Sequence, residues 1–161
     1  MLAADRFVQG SRGHLQTGWP SARAAGTGVV TASAGNGGLG LAYASQVLSL
    51  PPALVFVPEN TPAPKLERLA GFACQVRRAG TDYDSCHALA LAYARENDAT
   101  YISAYDDPLV IAGQGTVGLE LICDLPATDL VLVPVGGGGL TAGIALVVKA
   151  MNPSARIVGV Q

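Results

Sequence analysis

Charge is scarce in this chain. Asp, Glu, Lys and Arg make up 14% of its 161 residues, the formal net charge is −2, and no basic run occurs. That balance argues against a nucleic-acid partner. Cysteine is scarce too: Cys74, Cys86 and Cys123 are widely spaced, form no CxxC pair and have no companion histidine cluster. A disulfide framework and a zinc site are both disfavoured, and no metal is expected; thiols in a reducing cytoplasm are the simplest account. No apolar run is long enough to span a bilayer. The opening Met1-Leu2-Ala3-Ala4-Asp5-Arg6 lacks the layout of a signal peptide. The expectation is a cytoplasmic protein with neither a membrane nor a nucleic-acid partner.

Apolar residues and glycine are plentiful instead, at 50% hydrophobic and 20 glycines. The chain is organised around the stretch from Val131 to Ala145. A Val-rich run predicts a buried strand. Gly136, Gly137, Gly138 and Gly139 then free the backbone from Cβ sterics. A helix is expected from Leu140 to Met151. Strand, glycine turn and helix N-terminus together make a socket for an anion, because unpaired N–H groups and the positive end of the helix dipole point into it. The spacing fits GxGxxG only loosely. Leu140-Thr141 supplies no P-loop lysine. A tight turn with no ligand is the competing reading, and it leaves the backbone entropy of four glycines uncompensated.

A second unit of the same kind precedes it. Gly28 to Ser33 reads as a strand, Ser33 to Gly38 as a turn, and Leu39 to Leu48 as a helix ending before Pro51-Pro52. Asn36 suits that turn, either for its backbone preference or for a side-chain amide that can both donate and accept. Further on, strands are expected at Ala53 to Val57, Cys74 to Arg78, Thr100 to Ser103, Leu130 to Val135 and Arg156 to Val160. Helices are expected from the Asn60–Pro64 region to Ala70, from Asp82 or Tyr83 to Asn97, and from Leu109 to Cys123. His87 reads as a surface or half-buried helical residue rather than a ligand. Asp106 and Asp107 read as metal or acid–base carboxylates or, more commonly, as a helix cap. Gly113, Gly115 and Gly118 within one helix point to close approach by another backbone. Residues 1–27 show no periodicity and read as irregular, with Arg6, Arg12 and Arg23 solvated. The rhythm of strand and helix predicts α/β layers with a parallel sheet. Ligands then sit at the carboxyl ends of strands, where both glycine turns lie, so that they could line one cleft.

Four stretches carry a family resemblance: Gly28–Asn36 (GVVTASAGN), Pro58–Lys65 (PENTPAPK), Asp106–Thr116 (DDPLVIAGQGT) and Pro134–Leu140 (PVGGGGL). In this order and spacing they resemble the threonine dehydratase and serine racemase group of pyridoxal-phosphate enzymes, of fold type II and tryptophan synthase beta-like. The resemblance implies that the backbone of Gly136, Gly137, Gly138 and Gly139 holds the cofactor phosphate. It implies that Asn36 bonds the pyridoxal 3-hydroxyl, and that Ser33, Ala34, Gly35 and Asn36 receive the substrate carboxylate. It further implies a three-layer parallel-sheet fold: an irregular segment 1–27, a small α/β domain 28–98 and an incomplete large domain 99–161.

Two features set the chain apart from that group. The family's Schiff-base lysine belongs to a Ser-Phe-Lys-x-Arg-Gly motif; matching its end to Arg12-Gly13 puts Gly10 at the lysine position. The only lysines are Lys65 and Lys149, in other contexts, so no catalytic residue is assigned. The family also continues beyond the point matching Gln161. A smaller departure is Gly37, where the family commonly has histidine. The leading reading is a fragment or inactive relative of a threonine/serine dehydratase, an ammonia-lyase that eliminates water from a hydroxy amino acid with pyridoxal phosphate. The alternative is a non-catalytic module binding a phosphorylated or amino-acid ligand at Gly136–Gly139. Assembly as a homo-oligomer or with a complementing chain is a third expectation.

Overall fold

The computed structural model describes residues 28–161, so the irregular segment 1–27, its arginines and Gly10 lie outside the described residues. Among these residues, 28–104 and 105–161 form two compact units.

The first unit alternates strand and helix: β1 (Val29–Ala32), α1 (Asn36–Val47), β2 (Ala53–Val57), α2 (Ala63–Ala70), β3 (Cys74–Arg78), α3 (Tyr83–Glu96) and β4 (Thr100–Tyr101). The strands form one parallel sheet in the order β3-β2-β1-β4. Every residue of β1 and β2 is buried, as expected of central strands covered on both faces. Alternation along β2 feeds two cores. Leu54 and Phe56 join Val30, Ala32, Cys86 and Ala90 on the side of α3. Val55 and Val57 join Leu69 of α2 on the other. This unit therefore has three layers, as expected. Strand β4 is shorter than the expected Thr100–Ser103 and pairs only with Val29 and Val30. That pairing keeps it in the first unit, which runs to Ala104.

Local chemistry fixes several ends. Asp82 caps α3 in a reciprocal box: its carboxylate accepts from the Ser85 N–H at 2.8 Å, and the Ser85 hydroxyl accepts from the Asp82 N–H at 3.2 Å. Arg77 lays its guanidinium over the rings of Phe56 and Tyr93, at 5.3 and 4.7 Å from their centroids. His87 is half-buried, its ring 5.8 Å from that of Tyr83 and 5.3 Å from that of Tyr101. This is a packed helical histidine.

The second unit contains α4 (Pro108–Asp124), β5 (Leu130–Pro134), α5 (Gly139–Met151) and β6 (Arg156–Val160). Strands β5 and β6 are parallel neighbours. Their inner residues Val131 and Val133 pack with Ile122, Ile144, Val148 and Ala155. The outer residues Leu132, Val158 and Val160 are exposed at 63%, 43% and 53%. Asp107, not Asp106, caps α4, accepting from the N–H groups of Leu109 and Val110 at 2.8 and 3.0 Å. Helices α4 and α5 meet through glycine. A Cβ on Gly143 would stand 2.6 Å from the Gly115 nitrogen, and one on Gly118 3.0 Å from the Ile144 carbonyl oxygen. This is the close backbone approach expected of Gly115 and Gly118.

Candidate functional site

The strand order reverses at β1. The chain steps outward through β2 and β3, then returns to place β4 on the other side of β1. Such a switch point opens a crevice at the carboxyl ends of the two diverging strands. The segment Ser33-Ala34-Gly35 leaves β1 there. Its Ser33 N–H donates to the Phe56 carbonyl at 3.0 Å, tying the loop to β2. The Ser33 hydroxyl accepts from the Gly35 N–H at 3.3 Å. Helix α1 then begins at Asn36, earlier than the expected Leu39, so the turn is shorter than predicted. Packing overrides the low helix propensity of glycine here. A Cβ on Gly38 would fall 2.3 Å from the Ser33 carbonyl oxygen, and one on Gly37 2.7 Å from the Ala104 Cβ.

Helix α1 has Gly35 as its N-cap, no side-chain cap and no acidic residue in its first turn. The first N–H groups, including those of Asn36, Gly37 and Gly38, have no intrahelical acceptor. Asn36 is exposed beside them. An anionic oxygen fits these donors. Ser33, Ala34, Gly35 and Asn36 thus lie together in one loop and helix start.

The second unit repeats the device. Gly138 caps α5 at φ +89°, in the left-handed region that favours glycine, with no side-chain cap and no acid in the first turn. Thr141, in the same first turn, has a buried hydroxyl oxygen with no hydrogen-bond partner among the described residues. Two other helices are treated differently: α3 and α4 carry aspartate caps. Helix α2 also lacks a side-chain cap and a first-turn acid, so the unpartnered Thr141 hydroxyl is what sets the start of α5 apart. The sequence signal for Thr141 is a hydroxyl in the otherwise apolar first turns of the helix.

A family model described as "Pyridoxal-phosphate dependent enzyme" matches residues 5–161. The chain belongs to this family. It is 43% identical over 134 residues to the L-threonine ammonia-lyase of Geobacter sulfurreducens, covering 83% of this chain and 33% of that one. It is 41% identical over 141 residues to the biosynthetic L-threonine dehydratase of Haemophilus influenzae, covering 88% and 27%. Among solved structures, maize serine racemase matches with a TM-score of 0.83 at 31% identity, covering 99% of this chain and 46% of that one. Threonine deaminase isoform 2 from Solanum lycopersicum matches with a TM-score of 0.81 at 35% identity, covering 95% and 41%. The fold is thus that of fold type II pyridoxal-phosphate enzymes. The chain spans about a third of the length of the curated relatives it matches.

The family's cofactor is pyridoxal phosphate, and the second unit fits its phosphate: a glycine-capped helix start and an orphaned buried hydroxyl await an anion. The side chains do not fit its aldehyde. Lys65 is exposed on α2. The Lys149 ammonium sits in the last turn of α5, about 15 Å along the axis from Gly139. There it donates to the Pro153 and Ala155 carbonyls, at 2.5 and 2.9 Å.

Proposed function

We infer that this chain is a non-covalent binder of the phosphate group of pyridoxal phosphate, derived from a threonine/serine dehydratase, and that it performs no dehydration by itself. Gly136, Gly137, Gly138 and Gly139 hold the phosphate by backbone N–H groups. In the first unit, Ser33, Ala34, Gly35 and Asn36 receive an amino-acid carboxylate. In the parental reaction the cofactor supplies an electron sink for loss of the β-hydroxyl. What this chain adds is orientation: helix N-termini of positive potential without competing carboxylates. The observation that carries the reading is the pair of glycine-capped helix starts, one with a buried unpartnered threonine hydroxyl in its first turn. Three free thiols suit a reducing, cytoplasmic setting.

The test is a pyridoxal-phosphate titration followed by absorbance, borohydride reduction and mass analysis, with inorganic phosphate as competitor. Saturable binding displaced by phosphate, with no phosphate-sensitive lysine adduct, is expected. Absence of binding overturns the reading. A phosphate-suppressed adduct on Lys149 or Lys65 overturns its non-covalent character.

A second reading is favoured by the outer face of β5–β6. Leu130, Leu132, Val158 and Val160 line it and are exposed, whereas parallel sheets normally bury both faces. A complementing chain carrying the lysine would cover that face and restore dehydration. Ammonia release on co-expression with a lysine-bearing relative tests it.

A further inference from the structure

The four glycines of the phosphate turn differ in what surrounds them. A Cβ on Gly137 would meet the side chain of Tyr105 at 2.2 Å from Cγ, 2.3 Å from Cδ1 and 2.8 Å from Cβ. One on Gly139 would stand 2.7 Å from the Tyr105 Cα and 2.9 Å from its carbonyl oxygen. Gly138 and Gly136 face open space; the first is explained by its φ of +89°, the second by nothing in the chain itself. The turn is therefore laid against Tyr105 on alternate residues, 137 and 139, and leaves 136 and 138 clear. Real Cβ atoms do not approach as closely as these, so the backbone fits the ring only as glycine.

Tyr105 is itself held. Two residues later Asp107 caps α4, and α4 packs on α5 through Gly115 and Gly143. Tyr105 and the helix start that its backbone touches are thus joined by a packed helix pair. A phosphate oxygen needs its N–H donors converging within hydrogen-bond distance, and errors of about 0.5 Å in such a site weaken it.

We propose that Tyr105 is the positioning residue of the phosphate turn: its ring is the surface on which Gly137 is moulded, and its backbone the surface for Gly139, so that their N–H groups converge on the anion. The proposal rests on the phosphate-binding reading above. The ring, not the hydroxyl, makes the Gly137 contacts, so Tyr105→Phe keeps the turn and Tyr105→Ala loosens it. Gly137→Ala distorts the same turn from the other side.

The test combines phosphate and pyridoxal-phosphate affinity with the amide resonances of a ¹⁵N-labelled chain. Wild type and Tyr105→Phe are expected to bind alike. Tyr105→Ala and Gly137→Ala are expected to lose tenfold or more in affinity, and the double variant less than the product of both losses, since removing the ring frees space for the new methyl. Tyr105→Leu, which retains bulk, covers the case where the alanine variant does not fold, and is expected to bind more weakly than Tyr105→Phe. Unchanged affinity in folded Tyr105→Ala or Tyr105→Leu overturns the proposal. If wild type itself binds neither probe, the functional reading fails, and the amide shifts decide separately. Movement of the Gly137 resonance beyond that of Gly136 in Tyr105→Ala supports the moulding role, and an unmoved Gly137 resonance overturns it.

Discussion

The α-carbon of Gly143 is so close to α4 that a Cβ there would stand 2.4 Å from the carbonyl oxygen of Ile111. No flexible side chain can yield at that contact, because the obstacle is backbone. Gly143→Ala must push α5 off α4 and is expected to cost about 2 kcal/mol, in the range of overpacked cores. Urea denaturation of the purified chain measures it. An unchanged midpoint would mean that the helices separate freely.

Gly37 and Ala104 make a more forgiving contact, methyl against backbone. Gly37→Ala is expected to lower the melting temperature. Ala104→Gly should recover part of the loss, because it removes the atom 2.7 Å from the new Cβ. A double-mutant cycle reads this directly; simple additivity would rule the contact out as the cause.

The three thiols should react in a fixed order. Cys123 is exposed, whereas burial raises the pKa of both Cys74 and Cys86. Thiolate is the reactive form. Iodoacetamide is expected to label Cys123 first and the fully buried Cys86 last, at a rate that follows unfolding. Mass analysis of peptides over time checks it, and early labelling of Cys86 would contradict the packing of α3.

Asp82 should give α3 an acid-sensitive start. Bonds from the Ser85 hydroxyl and N–H hold its carboxyl below the ordinary range. A lowered folded-state pKa means that the contribution is complete above the ordinary carboxylate range and is lost as pH falls through the lowered value. Asp82→Ala should therefore reduce thermal stability at neutral pH, and the gap from wild type should narrow in acid. A constant gap would show that the charge is irrelevant.

The outer β5–β6 face predicts association. Leu132 is 63% exposed, so Leu132→Lys should leave the denaturation midpoint nearly unchanged. Sedimentation and hydrophobic-dye binding should both fall. No change in either would show that the face is not adhesive.

Much of this fold was legible in the sequence, for physical reasons that vary along the chain. Strands β2, β3 and β6 fall on the expected residues, because short Val- or Ile-bearing segments there are bounded by proline, glycine or polar residues. The caps Asp82 and Asp107 follow from aspartate placed before a helical pattern. Helix α1 was expected too late, since Gly37 and Gly38 read as turn formers until Ser33 and Ala104 are seen beside them. Thr141 and Tyr105 were missed altogether. A buried hydroxyl and a ring pressed on a glycine turn are facts of three dimensions, and neither leaves a periodic trace.

The hydrogen bonds of Lys149 carry a consequence for any reactive aldehyde added to this chain. With that ammonium engaged by two carbonyls, the other lysine, Lys65, is the open side-chain amine and stands on an exposed helix. Among the side-chain amines, carbonyl reagents, aldose sugars and cross-linkers will therefore favour Lys65 by encounter alone, and its occupancy reports collision rather than recognition.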